Sequence, residues 1–345
     1  MIYKIALIGF GTVGQGLCEI LLSKQDYLKK QYDFEWEIVA VSDMLKGSLY
    51  AAEGLDVRAM LDLVRNGKSL EEYAGNAQTG WDALKTIRKS NADIVCEMTY
   101  TDIKTGQPAT DHCRAALESG KHAVTSNKGP AALFYKELAE LARKNKVRFL
   151  IEGTVMSGTP VLNLARNELA GNSITAVRGI LNGTTNFILT NMEAGRPYED
   201  VLKEAQELGY AEADPTADVE GFDALAKVTI LANVVMGADL KPDDIPCKGI
   251  TSITLADIEE ARSEGKRWKL IGEVKKENGT ISASVAPMKI ELAHPLAGVS
   301  GAVNAVTFST DLMGDVTVTG AGAGRIETGF SILTDILEIH RSMMK

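Results

Sequence analysis

The sequence lacks the features that mark several classes of protein. Its four cysteines, Cys18, Cys96, Cys113 and Cys247, form no Cys-x-x-Cys pair, and no His/Cys cluster has zinc spacing. Cys18 and Cys96 lie in apolar segments and read as core thiols, a usage that suits a reducing compartment. No apolar run approaches the ~20 residues a membrane-spanning helix needs. The chain opens on the strand-like Ile5-Ala6-Leu7-Ile8 rather than on a charged and then apolar leader, so a cytoplasmic protein is expected. Cationic excess is missing too. Lys and Arg total 37 against 46 Asp and Glu, and the net charge of −9 argues against non-specific nucleic-acid binding. Internal repeats and low-complexity tracts are also absent.

What is present is a chain of 345 residues, 45% hydrophobic and 24% charged, ordinary for a globular enzyme and long enough for two domains. The first half alternates strand and helix patterns, the mark of a parallel sheet with crossover helices. Strands are predicted at Lys4–Ile8, Glu37–Ser42, Ile94–Met98, His122–Thr125 and Val147–Ile151. The helices between them are predicted at Thr12–Lys30, Trp81–Arg88, Ala109–Ser119 and Pro130–Asn145. Near Glu152 the composition turns rich in glycine and threonine, and a second α/β domain is expected to start there. It holds helices Val161–Ala170, Gly183–Glu193, Tyr198–Leu208 and about 221–236, with strands Val177–Leu181, Lys269–Lys275 and Ser282–Lys289. The expected boundaries are 1–152, 153–319 and a terminal helix region, 320–345, that rejoins the first domain.

A strand followed by Gly9-Phe10-Gly11-Thr12-Val13-Gly14 and a helix is the setting the dinucleotide fingerprint requires. The first glycine permits the tight turn, the second lets backbone approach a pyrophosphate, and the third lets helix and strand pack closely. Asp43, at the end of the second strand, sits where the fingerprint wants an acid for a ribose hydroxyl. An acid there favours NAD, while the downstream Lys46 and Arg58 could accommodate the 2′-phosphate of NADP. A strand-end turn is the other explanation for Asp43.

Ligands of open parallel sheets sit beyond the carboxyl ends of the strands. Thr99, Asn127-Lys128-Gly129 and Glu152 follow three such ends. Asp223 and Lys227 share one face of a helix that is apolar nearly all round. A surface ion pair is the ordinary explanation for such a spacing. A buried lysine, however, is seldom found without a partner or a purpose, and this pair suits proton transfer. The acidic loop from Glu212 through Asp218 to Glu220 is a solvated turn, a calcium loop with the wrong spacing for an EF-hand, or a pocket for an ammonium group.

Four blocks then point to a family. Thr125-Ser126-Asn127-Lys128-Gly129-Pro130, Leu181-Asn182-Gly183-Thr184-Thr185-Asn186, Gly209 to Asp218 continuing to Asp223 and Lys227, and Gly320-Ala321-Gly322-Ala323-Gly324 resemble the homoserine dehydrogenases, in the family's order and over almost the whole chain. The resemblance implies reversible hydride transfer between NAD or NADP and L-homoserine or L-aspartate 4-semialdehyde, a step of threonine and methionine biosynthesis. Lys227 would be the general acid/base and Asp223 would orient it and the substrate. Glu212 would hold the substrate ammonium, with Gly183, Thr184 and Asp218 alongside. Lys128 would lie between nicotinamide and substrate as a binder or second proton-transfer group. Phe10, Thr12, Val13, Thr99, Gly322 and Gly324 would line the cofactor, and the chain would form a homodimer or homotetramer. Many members also bind sodium on backbone carbonyls, here matching Glu152, Val155, Ser157 and Thr159. Two glycines usual in that segment are missing, and without them the required positive φ is disfavoured. Because the sequence stops just after its last helix, no regulatory domain and no threonine feedback through one are expected. A related amino-acid semialdehyde or alcohol dehydrogenase, or an inactive nucleotide-binding regulator, are the alternatives. The second is disfavoured by the joint presence of Lys128, Glu212, Asp223 and Lys227.

Overall fold

The computed structural model describes residues 2–344, which divide into two compact units. Unit one spans residues 1–154 and 324–345, and unit two spans 155–323.

Unit one is built on a seven-stranded sheet. Its elements run β1 (Ile2–Ile8), α1 (Thr12–Tyr32), β2 (Glu35–Asp43), β3 (Gly47–Tyr50), α2 (Val57–Arg65), β4 (Gln78–Thr79), α3 (Ala83–Lys89), β5 (Ile94–Glu97), α4 (Ala109–Glu118), β6 (His122–Thr125), α5 (Lys128–Leu133), α6 (Tyr135–Lys144) and β7 (Phe149–Leu150). The strand order is β4-β3-β2-β1-β5-β6-β7. Five strands are parallel. At one edge β3 pairs antiparallel with β2 and β4 antiparallel with β3; neither is predicted from the sequence, because each is short and offers too few residues for a periodic pattern. The central strands bury both faces, and Ile5, Leu7, Ile38, Val41, Ile94 and Cys96 enter one continuous core. The sheet reverses its direction of growth between β1 and β5, so their carboxyl ends open a crevice of the kind that takes ligands.

Two expectations in this unit need correction. The helix predicted over Pro130–Asn145 is two helices, because Phe134 leaves helical geometry (φ −134°) and its ring packs against Gly106. The last strand is only Phe149–Leu150, and at Glu152 the backbone N–H turns to the Asp335 carboxylate at 2.9 Å instead of to a neighbouring strand.

Unit two carries β8 (Ile174–Ile180), α7 (Gly183–Met192), α8 (Tyr198–Glu207), α9 (Thr216–Val219), α10 (Phe222–Ile230), α11 (Leu255–Ser263), β9 (Lys266–Glu277), β10 (Thr280–Glu291), β11 (Val303–Thr310) and β12 (Gly314–Ala321). Its five strands are antiparallel in the order β10-β9-β8-β11-β12. The β9–β10 hairpin is longer than the sequence reading of its strands. Its turn is Asn278-Gly279, with both residues at positive φ as a tight hairpin demands. The helix expected over about 221–236 keeps α geometry to Ile230 and then widens into a π turn over Leu231–Val235, where Asn233 clasps both the N–H and the C=O of Leu240. The helix expected over Val161–Ala170 is likewise a π turn, Leu164–Glu168. Met156 and Ser157 adopt φ of 58° and 53° although neither is glycine, so the missing glycines did not forbid that conformation.

The chain then returns to unit one with α12 (Arg325–Met343). This helix packs on α1 at a point where neither side could carry a larger residue. A Cβ on Gly16 would come 2.3 Å from the Arg325 carbonyl oxygen, and one on Gly329 would come 2.6 Å from the Leu17 nitrogen. Arg325 also reaches Glu19 at 2.8 Å, which pulls the glutamate carboxyl below its ordinary range.

Candidate active site

The glycine loop leaves β1 and enters α1 with the geometry its spacing predicts. A Cβ at Gly9 would meet the Met98 carbonyl oxygen at 2.5 Å, and Gly9 sits at φ +94°. One at Gly14 would meet the Gly9 carbonyl oxygen at 2.6 Å. At Gly11 nothing lies within 4 Å, so that side of the loop is open to an approaching group. Gly11 caps α1 without any side-chain hydrogen bond, leaving first-turn amides for a phosphate. The residues therefore fit a dinucleotide's pyrophosphate.

Asp43 ties this loop down. Its Oδ2 accepts from Phe10 N at 2.7 Å, and its Oδ1 accepts from the amides of Leu45 and Lys46 at 3.0 Å. The strand-end turn is thus seen directly, in a carboxylate that also holds the glycine loop. Phe10 is fully buried in the core, and its carbonyl accepts from Gln15 Nε2 at 3.0 Å. Thr12 is exposed and Val13 half-buried at the start of α1. Met44 and Leu45, just past the strand, are exposed, and the Lys46 ammonium lies 3.6 Å from Asp43.

Beneath the other strand ends lies a carboxylate with no exposure at all, that of Glu97. Its Oε1 accepts from Thr99 N at 3.1 Å and from the Thr99 hydroxyl, and its Oε2 accepts from Thr125 Oγ1 at 3.0 Å. Thr125 Oγ1 in turn accepts from Asn127 N, and the Asn127 side chain caps α5 and donates to Tyr100 O at 2.8 Å. Lys128 is the first residue of that capped helix and is half-buried. One buried acid thus sets both Thr99 and the Asn127-Lys128 turn. His112 Nδ1, 3.5 Å from Oε1, is too far for a hydrogen bond. Sequence reasoning missed Glu97, although a glutamate inside an apolar strand run was a signal that a buried charge needed partners.

In unit two, Asp223 and Lys227 stand one turn apart on α10, as predicted. Lys227 Nζ donates to Asp223 Oδ2 at 2.7 Å and to the Leu181 carbonyl at 2.6 Å, with its side chain 8% exposed. A lysine ammonium has three N–H groups. Among the described residues, the third has no acceptor. Asn182, which the sequence reading used only as part of a motif, is the hub of this cluster. Its Nδ2 donates to Asp218 Oδ1 at 2.6 Å and to Asp223 Oδ2 at 2.9 Å, while its Oδ1 caps α7 at Thr185 N. A single amide thereby joins Asp218, Asp223 and the start of the Gly183-Thr184 helix. The Thr184 hydroxyl donates to Tyr210 O at 2.6 Å, which fixes the segment leading to Glu212. Glu212 itself is exposed and has no ion-pair partner among the described residues. The structure brings Asp218, Asp223, Lys227 and Gly183 together through Asn182, and leaves Glu212 at the end of the neighbouring segment.

Val155, Ser157 and Thr159 lie at the start of unit two, where Thr159 N closes a turn on Met156 O at 2.9 Å. Gly322 belongs to the end of unit two and Gly324 to unit one. Among the described residues, no cluster of three or more His, Cys, Asp or Glu side chains could hold a metal ion, and no helix is long and apolar enough to cross a membrane.

A buried lysine paired to a carboxylate can exchange a proton, and a glycine cradle can take a dinucleotide. The family model for the homoserine dehydrogenase NAD binding domain matches residues 9–152, and that for homoserine dehydrogenase matches residues 160–337. The chain belongs to the homoserine dehydrogenase family. The NAD(+)-dependent homoserine dehydrogenase of Pseudomonas canavaninivorans is 49% identical over 99% of this chain and 97% of its own length. The homoserine dehydrogenase of Methanocaldococcus jannaschii is 42% identical over 99% of both. A putative homoserine dehydrogenase from Archaeoglobus fulgidus, of solved structure, has a TM-score of 0.88 at 40% identity over 99% of both chains. A hyperthermophilic archaeal homoserine dehydrogenase in complex with NADPH has a TM-score of 0.85 at 29% identity, covering 99% of this chain and 98% of its own. The homoserine dehydrogenase family's nicotinamide cofactor belongs to the parallel-sheet unit, whose glycine cradle lies within the matched NAD binding domain.

Proposed function

We propose that the protein interconverts L-homoserine and L-aspartate 4-semialdehyde with Lys227 as its general acid/base. The observation that carries this reading is the Lys227 ammonium, held by Asp223 and the Leu181 carbonyl with one N–H left for a ligand. The bound nicotinamide supplies hydride acceptance from C4 of the alcohol and hydride return to the aldehyde. In oxidation, neutral Lys227 takes the hydroxyl proton as the C4–H bond breaks; in reduction, protonated Lys227 gives it to the carbonyl oxygen. Asp223 keeps the amine aimed, Asn182 keeps Asp223 and Asp218 aligned, and Glu212 takes the substrate ammonium. Gly183 and Thr184 border the substrate, and Lys128 binds it or serves as a second proton-transfer group. Thr99, Gly322 and Gly324 border the cofactor with the glycine loop.

The preferred cofactor in this reading is NAD. Asp43 puts a carboxylate where a 2′-phosphate would add negative charge, Met44 and Leu45 offer no cation, and Lys46 is already beside Asp43. A sodium ion on the carbonyls of Glu152, Val155, Ser157 and Thr159 is part of the proposal, supported by the left-handed turn at Met156 and Ser157. So are a cytoplasmic location and a homodimer or homotetramer, which rest on the family. Initial rates with L-homoserine and each cofactor test the core of it. Activity with kcat/KM higher for NAD than NADP is expected. No homoserine-dependent reduction of either cofactor would overturn the assignment, and an NADP preference would overturn the reading of Asp43.

A further inference from the structure

We infer that Asn304 is a positioning residue for the proton-transfer lysine, acting through the Leu181 carbonyl, and that residue 322 is glycine because Asn304 fills the space a side chain there would need. The inference rests on the reading of Lys227 given above.

Asn304 lies on β11 opposite Gly320 of β12 and is completely buried. Its Nδ2 donates to Leu181 O at 2.9 Å. A carbonyl only accepts, so this bond fixes which way the amide faces. Lys227 Nζ donates to the same oxygen at 2.6 Å. Both lone pairs of the Leu181 carbonyl are therefore committed, one to Asn304 and one to Lys227. Leu181 immediately precedes Asn182, the amide that joins Asp218 and Asp223. A carbonyl held on one side by Asn304 is a fixed post for the lysine. Without that hold, Lys227 keeps Asp223 but loses a defined second contact.

The other end of the amide points to a constraint stronger than ordinary packing. Asn304 Oδ1 is buried and has no hydrogen-bond partner among the described residues. A Cβ at Gly322 would lie 2.2 Å from Asn304 Nδ2 and 2.4 Å from its Cγ. One at Gly183 would meet Ala302 O at 2.9 Å and Asn304 Oδ1 at 3.4 Å. The amide is wedged between the Gly320–Ala323 segment and the Leu181-Asn182-Gly183 turn. Gly322 thus has a function separate from bordering a cofactor: it houses the side chain that braces Lys227.

The test is a mutant cycle of Asn304→Ala and Gly322→Ala in the full chain, with Lys227→Ala as reference. The readouts are kcat, the KM values for NAD and homoserine, the solvent deuterium isotope effect on kcat and the melting temperature. Asn304→Ala is expected to lower kcat by about 10- to 100-fold, the scale of a misplaced catalytic group. The KM for NAD should stay within about threefold, and the isotope effect should rise because proton transfer becomes slower. Gly322→Ala should reproduce the loss in the native background and add little in the Asn304→Ala background, where the obstructing side chain is gone. Asn304→Leu, which keeps the volume without the donor, should behave as Asn304→Ala and so separate the hydrogen bond from packing. Three results would overturn the inference: additive losses, a loss expressed in KM for NAD with kcat kept, or native kcat in Asn304→Leu. Undiminished activity of Lys227→Ala would instead sink the underlying reading, and is distinguishable because Lys227→Ala is measured on its own.

Discussion

The glycine cradle of unit one and the lysine cluster of unit two solve the problem of placing a reactive group by opposite means. The cradle is backbone: Gly9, Gly11 and Gly14 matter because they have no side chain, and Asp43 grips the Phe10 amide. The cluster is side chain: Lys227, Asp223, Asp218 and Asn182 matter by their functional groups, and the one backbone atom among them, the Leu181 carbonyl, accepts from two side chains. A backbone site presents many weak partial charges and suits a ligand group common to many enzymes. A side-chain site delivers one titratable atom to one place and defines the chemistry.

That contrast can be broken by experiment. The largest effect is expected for Lys227→Ala, a loss of about 10³-fold in kcat, within the range of a general acid/base. NAD affinity, read by quenching of protein fluorescence, should be nearly unchanged. A loss of NAD binding would mean the two regions are not separable. Gly9→Ala is the converse, because the new methyl meets the Met98 carbonyl and the residue must hold φ +94°. Cofactor affinity should fall by roughly 10- to 50-fold, since local strain of this kind costs on the order of 1–3 kcal/mol. Native NAD affinity in that variant would show that the loop tolerates a side chain and is not a cradle. Glu97→Gln should have a smaller effect, about three- to tenfold on the KM for NAD with kcat less changed, because an amide keeps the shape but puts a donor in place of the oxygen that accepts from either Thr99 or Thr125. An unchanged KM would make Glu97 a core residue only.

A change in stability rather than in rate sharpens the comparison inside unit two. Lys269 is as buried as Lys227, but its acceptors among the described residues are neutral, Asn186 Oδ1 at 3.0 Å and Val299 O at 2.8 Å. Burial lowers its ammonium from 10.5 to about 8. Below pH 8 the folded and unfolded chains both carry the proton, and the cost of the buried charge is present in full. As pH rises from about 8 towards 10.5 the folded state releases its proton first, so stability climbs by up to about 1.4 kcal/mol per pH unit. Urea midpoints at pH 7.5 and 9.5 should show this climb in the native chain relative to Lys269→Met. Equal slopes in the two proteins would mean Lys269 titrates in its ordinary range.

The same contrast explains what could be read from the residues. Positive φ and close approach demand glycine, so the cradle is written as a spacing, and the buried parallel strands around it are written as apolar runs such as Ile5–Ile8. The Asp223–Lys227 pair is legible because four residues make one helical turn. Asn182 was legible only as part of a motif, since its partners lie 36 and 41 residues further along the chain. The Leu181 carbonyl leaves no trace in residue identity at all. Edge strands β3 and β4 are too short for a period, whereas the Asn278-Gly279 turn was written plainly in the sequence and should have fixed the full β9–β10 hairpin.

The return of α12 to α1 has a consequence for synthesis. Unit two is an insertion within unit one, so a growing chain translates the whole of 155–323 before the helix that covers α1 exists. Folding unit one on the ribosome must therefore proceed with the Gly16 face of α1 bare. Its completion waits until residues 324–345 have been made, at the usual pace of about 5–20 residues per second. A nascent chain arrested before Arg325 should expose that face to proteases and chaperones, although every residue of the glycine cradle has already been made.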